Sequence, residues 1–170
     1  GACSSAFAGT VGFSVEKVEF DQTGGTVEVD VSISATSLAG FESADIIFGS
    51  DEAGIAFTNY TWGNWGVRFF DTNLSSDTYA SAHQIGFFGT QQASGLVLGT
   101  LTIEVDPGLP VGNYEVFVDN SRDLGFSQLA LGVNTDPLTG SLPINIVPEP
   151  ASLALLGLGA VGLLRRRFTA

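Results

Sequence analysis

Thr26-Val27-Glu28-Val29-Asp30-Val31-Ser32-Ile33-Ser34 alternates apolar and polar residues without a fault. Side chains along a strand point to opposite faces in turn. Val27, Val29, Val31 and Ile33 therefore share one face, and Glu28, Asp30, Ser32 and Ser34 share the other. A strand with one apolar and one wet face fits an antiparallel sheet packed on a core.

The pattern spreads in both directions. Val11-Gly12-Phe13-Ser14-Val15 alternates, and Val18 and Phe20 continue it out of phase, as one strand with a bulge would. Asp21-Gln22-Thr23-Gly24-Gly25 is a turn by composition. Residues 41–48 form a strand with Ile46, Ile47 and Phe48 at its apolar end, and Asp51-Glu52-Ala53-Gly54 turns the chain. Residues 56–70 hold Phe57, Tyr60, Trp62, Trp65, Phe69 and Phe70. Residues 71–82 are polar and read as a loop, and 83–88 as a strand. Residues 95–105 carry Leu96, Leu98, Leu101, Ile103 and Val105 in strand spacing, closed by Asp106-Pro107-Gly108. Residues 114–118 and 141–147 are further strands, and 124–133 reads either as a loop with a short strand or as one helical turn. About 8–9 short strands at near-regular spacing predict an all-β protein, an antiparallel β-sandwich over residues 9–147.

The C-terminal stretch breaks this pattern. Val147-Pro148-Glu149-Pro150 leads into 14 residues, 151–164, without a charge, and Arg165-Arg166-Arg167 closes them. Proline is tolerated at a helix start. As a helix the run reaches roughly 21 Å at about 1.5 Å per residue, short of the ~30 Å hydrocarbon core that a permanent span matches. Snorkelling arginines extend its reach, and their charge places this end in the cytoplasm and the body outside. The prediction is a single short hydrophobic helix serving as a transient inner-membrane anchor.

The ordered combination of Val147-Pro148-Glu149-Pro150, a short Leu/Gly/Ala-rich run and a terminal arginine cluster resembles the PEP-CTERM protein-sorting signal. The resemblance covers about the last 24 residues and implies recognition by an exosortase, a membrane cysteine protease, which removes the tail. It also implies a Gram-negative bacterium that makes exopolysaccharide. The body resembles a cohesin-type or carbohydrate-binding-module-like jelly roll in the order of residues 26–34, 41–51, 95–105 and 112–116. In that group cohesins bind dockerin partners and the related modules bind polysaccharide.

Charge divides the chain in the same place. Before residue 148, Lys17, Arg68 and Arg122 stand against 17 carboxylates, a net of −14, whereas the tail, with three arginines and Glu149, carries +2. An acidic body argues against nucleic acid, whose phosphates require a basic patch. It suits solubility outside the cell. Thirteen phenylalanines and 44% apolar residues exclude a disordered chain. The single cysteine, Cys3, excludes an internal disulfide.

At the N-terminal end, Ala6-Phe7-Ala8 matches the small-x-small rule of signal-peptide cleavage. Residues 1–8 then read as the remnant of a secretory signal, 9–147 as the sandwich and 148–170 as the sorting signal. A competing reading places a lipid on Cys3. Either event implies export.

Candidate sites are few. Tyr60, Trp62 and Trp65 are placed to form a stacking platform for sugar rings, with Asn59 and Asn64 as hydrogen-bond partners, or else to pack the core. Asp71, Asn73 and Asp77 have oxygen ligands near the spacing of a calcium loop but lack its glycine and closing glutamate, so calcium competes with a plain solvated loop. Asp119, Asn120 and Asp123 form a second such cluster. His83 is the lone histidine, and no zinc spacing, phosphate loop or nucleophile elbow occurs. The expectation is no enzyme and no resident cofactor. The leading reading is an exported structural or interaction protein of the cell envelope or extracellular matrix. A carbohydrate-binding module for exopolysaccharide is the alternative, and a small secreted hydrolase a remote one.

Overall fold

In the computed structural model the alternating stretch is β3 (Gly25–Ala35), the third of twelve strands among the described residues, and its valines and Ile33 face the core as the pattern demands. The structure describes residues 9–38, 40–65, 68–76, 79–86, 95–118, 127–131, 134–149 and 155. The remaining strands are β1 (Gly9–Phe13), β2 (Val18–Asp21), β4 (Ser43–Ser50), β5 (Ile55–Trp62), β6 (Arg68–Ser76), β7 (Tyr79–Gly86), β8 (Val97–Val105), β9 (Gly112–Val118), β10 (Gln128–Leu131), β11 (Asn134–Thr139) and β12 (Ser141–Val147).

One layer runs β1-β3-β8-β5, all antiparallel. The other runs β2-β12-β9-β4-β7-β6. The β10–β11 hairpin joins them, since β10 pairs with β4 and β11 pairs with β1. A single apolar cluster lies between the layers, with Val29, Val31, Ile33, Leu101 and Ile103 from one and Ala44, Ile46, Phe48, Val116, Leu142 and Ile144 from the other. Each such buried Val, Leu, Ile or Phe side chain contributes about 1.5–3 kcal/mol. The rings of Phe13 and Phe48, with centroids 6.3 Å apart, pack across the gap.

The β-sandwich is as expected, and the differences lie in its margins. Residues 11–20 are two strands in different layers. β1 pairs with β3, whereas β2 pairs with β12, so the change of phase at Val18 marks a crossing between sheets and not a bulge. Two pairings are parallel, β1 with β11 and β2 with β12, because the first strands dock beside the last. The polar stretch 71–82 is largely strand, not loop: β6 and β7 form a hairpin, with Asp71 opposite Gln84 and Asn73 opposite Ala82. In the ambiguous region, 128–131 is strand, and β11 adds a strand in a segment whose Asp136-Pro137 resembles a turn. The expected helix over 151–164 lies outside the described residues, Leu155 apart, which is helical and 74% exposed. Among the described residues no helix is long and apolar enough to cross a membrane.

Turn chemistry fixes the ends of the central pair. Gly24 at φ 71° and Gly108 at φ 86° adopt the left-handed conformation that glycine accepts without steric cost. The Gly108 N–H donates to the carbonyl of Gln22 at 2.8 Å, which ties the turn after β8 to the turn before β3.

Candidate functional site

The sorting motif begins where the sheet ends. Val147 closes β12 and pairs with Asp21 of β2, and Pro148, which is exposed, follows at once. Ile144 and Ile146 are fully buried just before it. Proline lacks the N–H that another ladder bond would need, so Pro148 is a physical stop for the strand. β2 is held to this end by its pairing with β12 and by Asn145, which donates to Glu19 at 3.5 Å, while its other polar contacts are local. Lys17 donates to Glu19 at 2.7 Å, and the hydroxyl and N–H of Thr23 both donate to the Asp21 carboxylate. The Lys17 hydrogen bond, then that from Asn145, holds the Glu19 carboxyl below its ordinary value. The Thr23 hydrogen bonds do the same for Asp21.

A second constellation sits at the opposite margin. In β11 the side chains of Asp136 and Leu138 point inward, both with no exposed surface, while Thr135 and Pro137 point out. A carboxylate thus occupies a core position. It is satisfied by three donors: the Gly9 N–H at 3.0 Å, the Ser37 N–H at 2.7 Å and the Thr36 hydroxyl. Burying a charge is costly unless it is fully hydrogen-bonded, and these donors supply that compensation. Asp136 is not among the candidate residues drawn from the sequence, where its one signal is its parity with Leu138.

Ser127 fills a third structural gap. On one edge of β4, β9 pairs with Phe48–Ser50 and β10 with Ser43–Asp45. Ile47 lies between them, and Ser127 Oγ accepts from its N–H at 2.9 Å and donates to its carbonyl at 3.3 Å. One hydroxyl stands in for the missing residue of a strand.

The aromatic platform is corrected by burial. Tyr60, Trp62 and Trp65 are 2%, 4% and 2% exposed, so they have no free face on which a sugar ring can stack. Tyr60 and Trp62 meet edge to face at 5.0 Å, Trp62 and Trp65 at 5.7 Å, and Trp65 also meets Phe41 at 4.9 Å. A register shift between Phe57 and Asn59 changes the parity of β5, which turns Tyr60 and Trp62 inward beside Phe57. Gly99 makes the room: a Cβ there would stand 2.7 Å from the Tyr60 ring and 2.5 Å from the Thr61 carbonyl oxygen. Trp65 Nε1–H donates to the Leu98 carbonyl at 3.1 Å, and burial pushes the Tyr60 hydroxyl well above its ordinary pKa. Asn59 and Asn64 are exposed, beside rings that are not.

Of the calcium candidates, Asp71 and Asn73 lie two apart on β6, an extended strand rather than a ligand loop, and Asp77 lies outside the described residues. So do Asp119, Asn120 and Asp123. Among the described residues no group of three His, Cys, Asp or Glu is arranged to hold a metal ion. His83 sits in β7 opposite Asp45 and Thr72. An open groove of about 410 Å³ is lined by Asp51, Glu52, Asn113, Tyr114, Glu115 and Pro143, and continues the acidic character of the body on this surface.

Comparison with known proteins agrees with both halves of this description. Residues 147–167 match the PEP-CTERM protein-sorting motif. That motif marks an exported chain that is sorted by an exosortase and held at its C-terminus by a membrane anchor before processing. The body has the fold of a cohesin module. The seventh ScaB type I cohesin from Pseudobacteroides cellulosolvens is 17% identical, with a TM-score of 0.59 over 84% of this chain and 94% of that one. The cohesin of a family 33 glycoside hydrolase from Clostridium perfringens is 14% identical, with a TM-score of 0.60 over 84% and 99%. The third ScaC cohesin from Acetivibrio cellulolyticus, solved with the ScaB dockerin, is 12% identical, with a TM-score of 0.61 over 82% and 98%. At these identities the likeness is one of fold. No curated protein matches the sequence.

Proposed function

We propose that this chain is a non-catalytic protein-interaction domain of the Gram-negative cell envelope or extracellular matrix. In this reading the sandwich is exported, held briefly at the inner membrane by its tail, and released or transferred when an exosortase cuts near Pro148-Glu149-Pro150. The observation that carries it is the position of the motif. Matched residues start at Val147, the last residue of the last core strand, so the folded body and the sorting signal abut without a linker. Removing the tail leaves every strand in place.

The interaction role draws support from the cohesin fold and from the acidic surface, which includes the Asp51, Glu52 and Glu115 groove and the wet face of β3. A basic or dockerin-like protein partner suits such surfaces. Burial of Tyr60, Trp62 and Trp65 removes the feature that favoured a polysaccharide ligand. Deleting residues 148–170 tests the sorting half: the truncated protein should fold and export but fail to reach the cell surface. Equal surface delivery of both forms would contradict it. Affinity capture from the producing organism's envelope tests the other half, with a protein retained by the folded domain expected and a glycan array expected to stay blank.

A further inference from the structure

Gly9 is the residue that would begin the chain after cleavage at Ala6-Phe7-Ala8, and it is buried. Its nitrogen lies 3.0 Å from Asp136 Oδ1. That carboxylate has no exposed surface, and among the described residues it makes no ion pair. Its other partners are the neutral Thr36 hydroxyl and Ser37 N–H. We propose that Asp136 is the receptor for the α-amino group created by signal-peptide removal, so that cleavage converts a hydrogen bond from a neutral donor into a buried ion pair. The inference rests on the export reading above.

The chemistry is simple hydrolysis. Water adds across the Ala8–Gly9 peptide bond, Ala8 leaves as a carboxylate, and the Gly9 amine takes up a proton. A free α-amino group has a pKa of about 7.7–8.0, so it is largely cationic at neutral pH. Before cleavage the Gly9 N–H is one neutral donor of three to a buried anion. Afterwards the same nitrogen carries the counter-charge. The donor's own charge then adds to a bond whose acceptor is already ionised, and desolvated pairs are screened little by salt.

Sterics fit a glycine at this new terminus. A Cβ on Gly9 would lie 3.0 Å from Leu138 Cδ2, 3.2 Å from Asp136 Oδ2 and 3.3 Å from the Ala35 carbonyl oxygen. Gly9 also pairs with Leu138, and its carbonyl accepts from Thr139 Oγ1 at 3.3 Å. The first residue of β1 is thus seated on β11 by contacts that do not depend on what precedes it. Maturation would add charge to an existing seat.

The test uses the chain from Gly9 through Ala170 in detergent micelles, released from a fusion partner with a free amine, beside the same chain acetylated at Gly9. Acetylation restores the single amide N–H and the acyl carbonyl that Ala8 supplies before cleavage, and removes the charge. At neutral pH, urea titration should give the free-amine form a folding equilibrium constant at least about tenfold larger, equivalent to about 1.4 kcal/mol. In an Asp136→Asn background the advantage of the free amine should vanish or reverse, since the buried cation then lacks a counter-charge. Equal stability of the wild-type pair would overturn the proposal, and that comparison survives even if Asp136→Asn does not fold. Mass spectrometry of protein exported by the producing organism should find Gly9 first. A lipidated Cys3 terminus would overturn the proposal while leaving export itself intact.

Discussion

Gly9 and Asp136 are 127 residues apart in the chain, and the amide of one donates to the buried carboxylate of the other at 3.0 Å. The contact joins the first strand to the eleventh and closes the sandwich at its chain ends. Thr36 and Ser37, between β3 and β4, converge on the same carboxylate. Asp136→Ala should therefore strand the donors of Gly9, Thr36 and Ser37 together and cost about 2–4 kcal/mol in urea unfolding. Asp136→Asn, which keeps an acceptor, should cost less. A neutral alanine variant would show that the cluster contributes nothing to the closure.

Ser127→Ala should destabilise the domain by about 1–3 kcal/mol, because the Ile47 N–H and carbonyl lose the hydroxyl that stands in for a strand. Ser127→Thr, which keeps the hydroxyl, is the control. Hydrogen exchange at Ile47 gives the local readout, with protection expected to fall in the alanine variant alone.

Trp62→Ala and Trp65→Ala should each cost about 3–5 kcal/mol, as large-to-small changes in a packed core do. Gly99→Ala should also destabilise, by about 1–3 kcal/mol, since its methyl group meets the Tyr60 ring and the Thr61 carbonyl oxygen. Thermal melts check all three. An unchanged melt for either tryptophan variant would return that residue to the surface.

The margin beside the sorting motif should respond to acid. Glu19 and Asp21 have folded-state pKa values below their ordinary ones, through the Lys17 and Asn145 contacts of the first and the Thr23 contacts of the second. A lowered folded pKa gives stability that is present above the unfolded pKa and lost as pH falls through the folded one. Melting temperature should accordingly fall as pH drops below about 4. A Glu19→Gln, Asp21→Asn variant should show a shallower fall. Glu19 is exposed and Asp21 half-buried at the surface, so the effect is small, and an identical acid slope in the variant would show that neither contributes.

The body's layers were legible because alternation is a local signal. β3, β8 and β12 announce themselves by Val29-x-Val31-x-Ile33, Leu101-x-Ile103-x-Val105 and Leu142-x-Ile144-x-Ile146. What escaped depends on partners distant in sequence. β6 is polar and is a strand because β7 pairs with it. Val18 and Phe20 changed phase because the chain changed sheets, and nothing local separates that from a bulge. Tyr60 and Trp62 were open to both readings, core and platform, until the register shift at Phe57–Asn59 fixed their direction. Asp136 lies in a stretch, 134–140, whose one large apolar residue is Leu138, too little for an alternating pattern. The sorting motif was fully legible, since its recognition rests on a contiguous order of residues and not on folding.

The central claim is a folded body that ends at Val147 and a tail that is removed after it. C-terminal peptide mass spectrometry of protein recovered outside an exosortase-bearing cell tests this most directly. The predicted result is a chain that keeps Ile144-Asn145-Ile146-Val147 and has lost Arg165-Arg166-Arg167. Extracellular protein with its three arginines intact would contradict it.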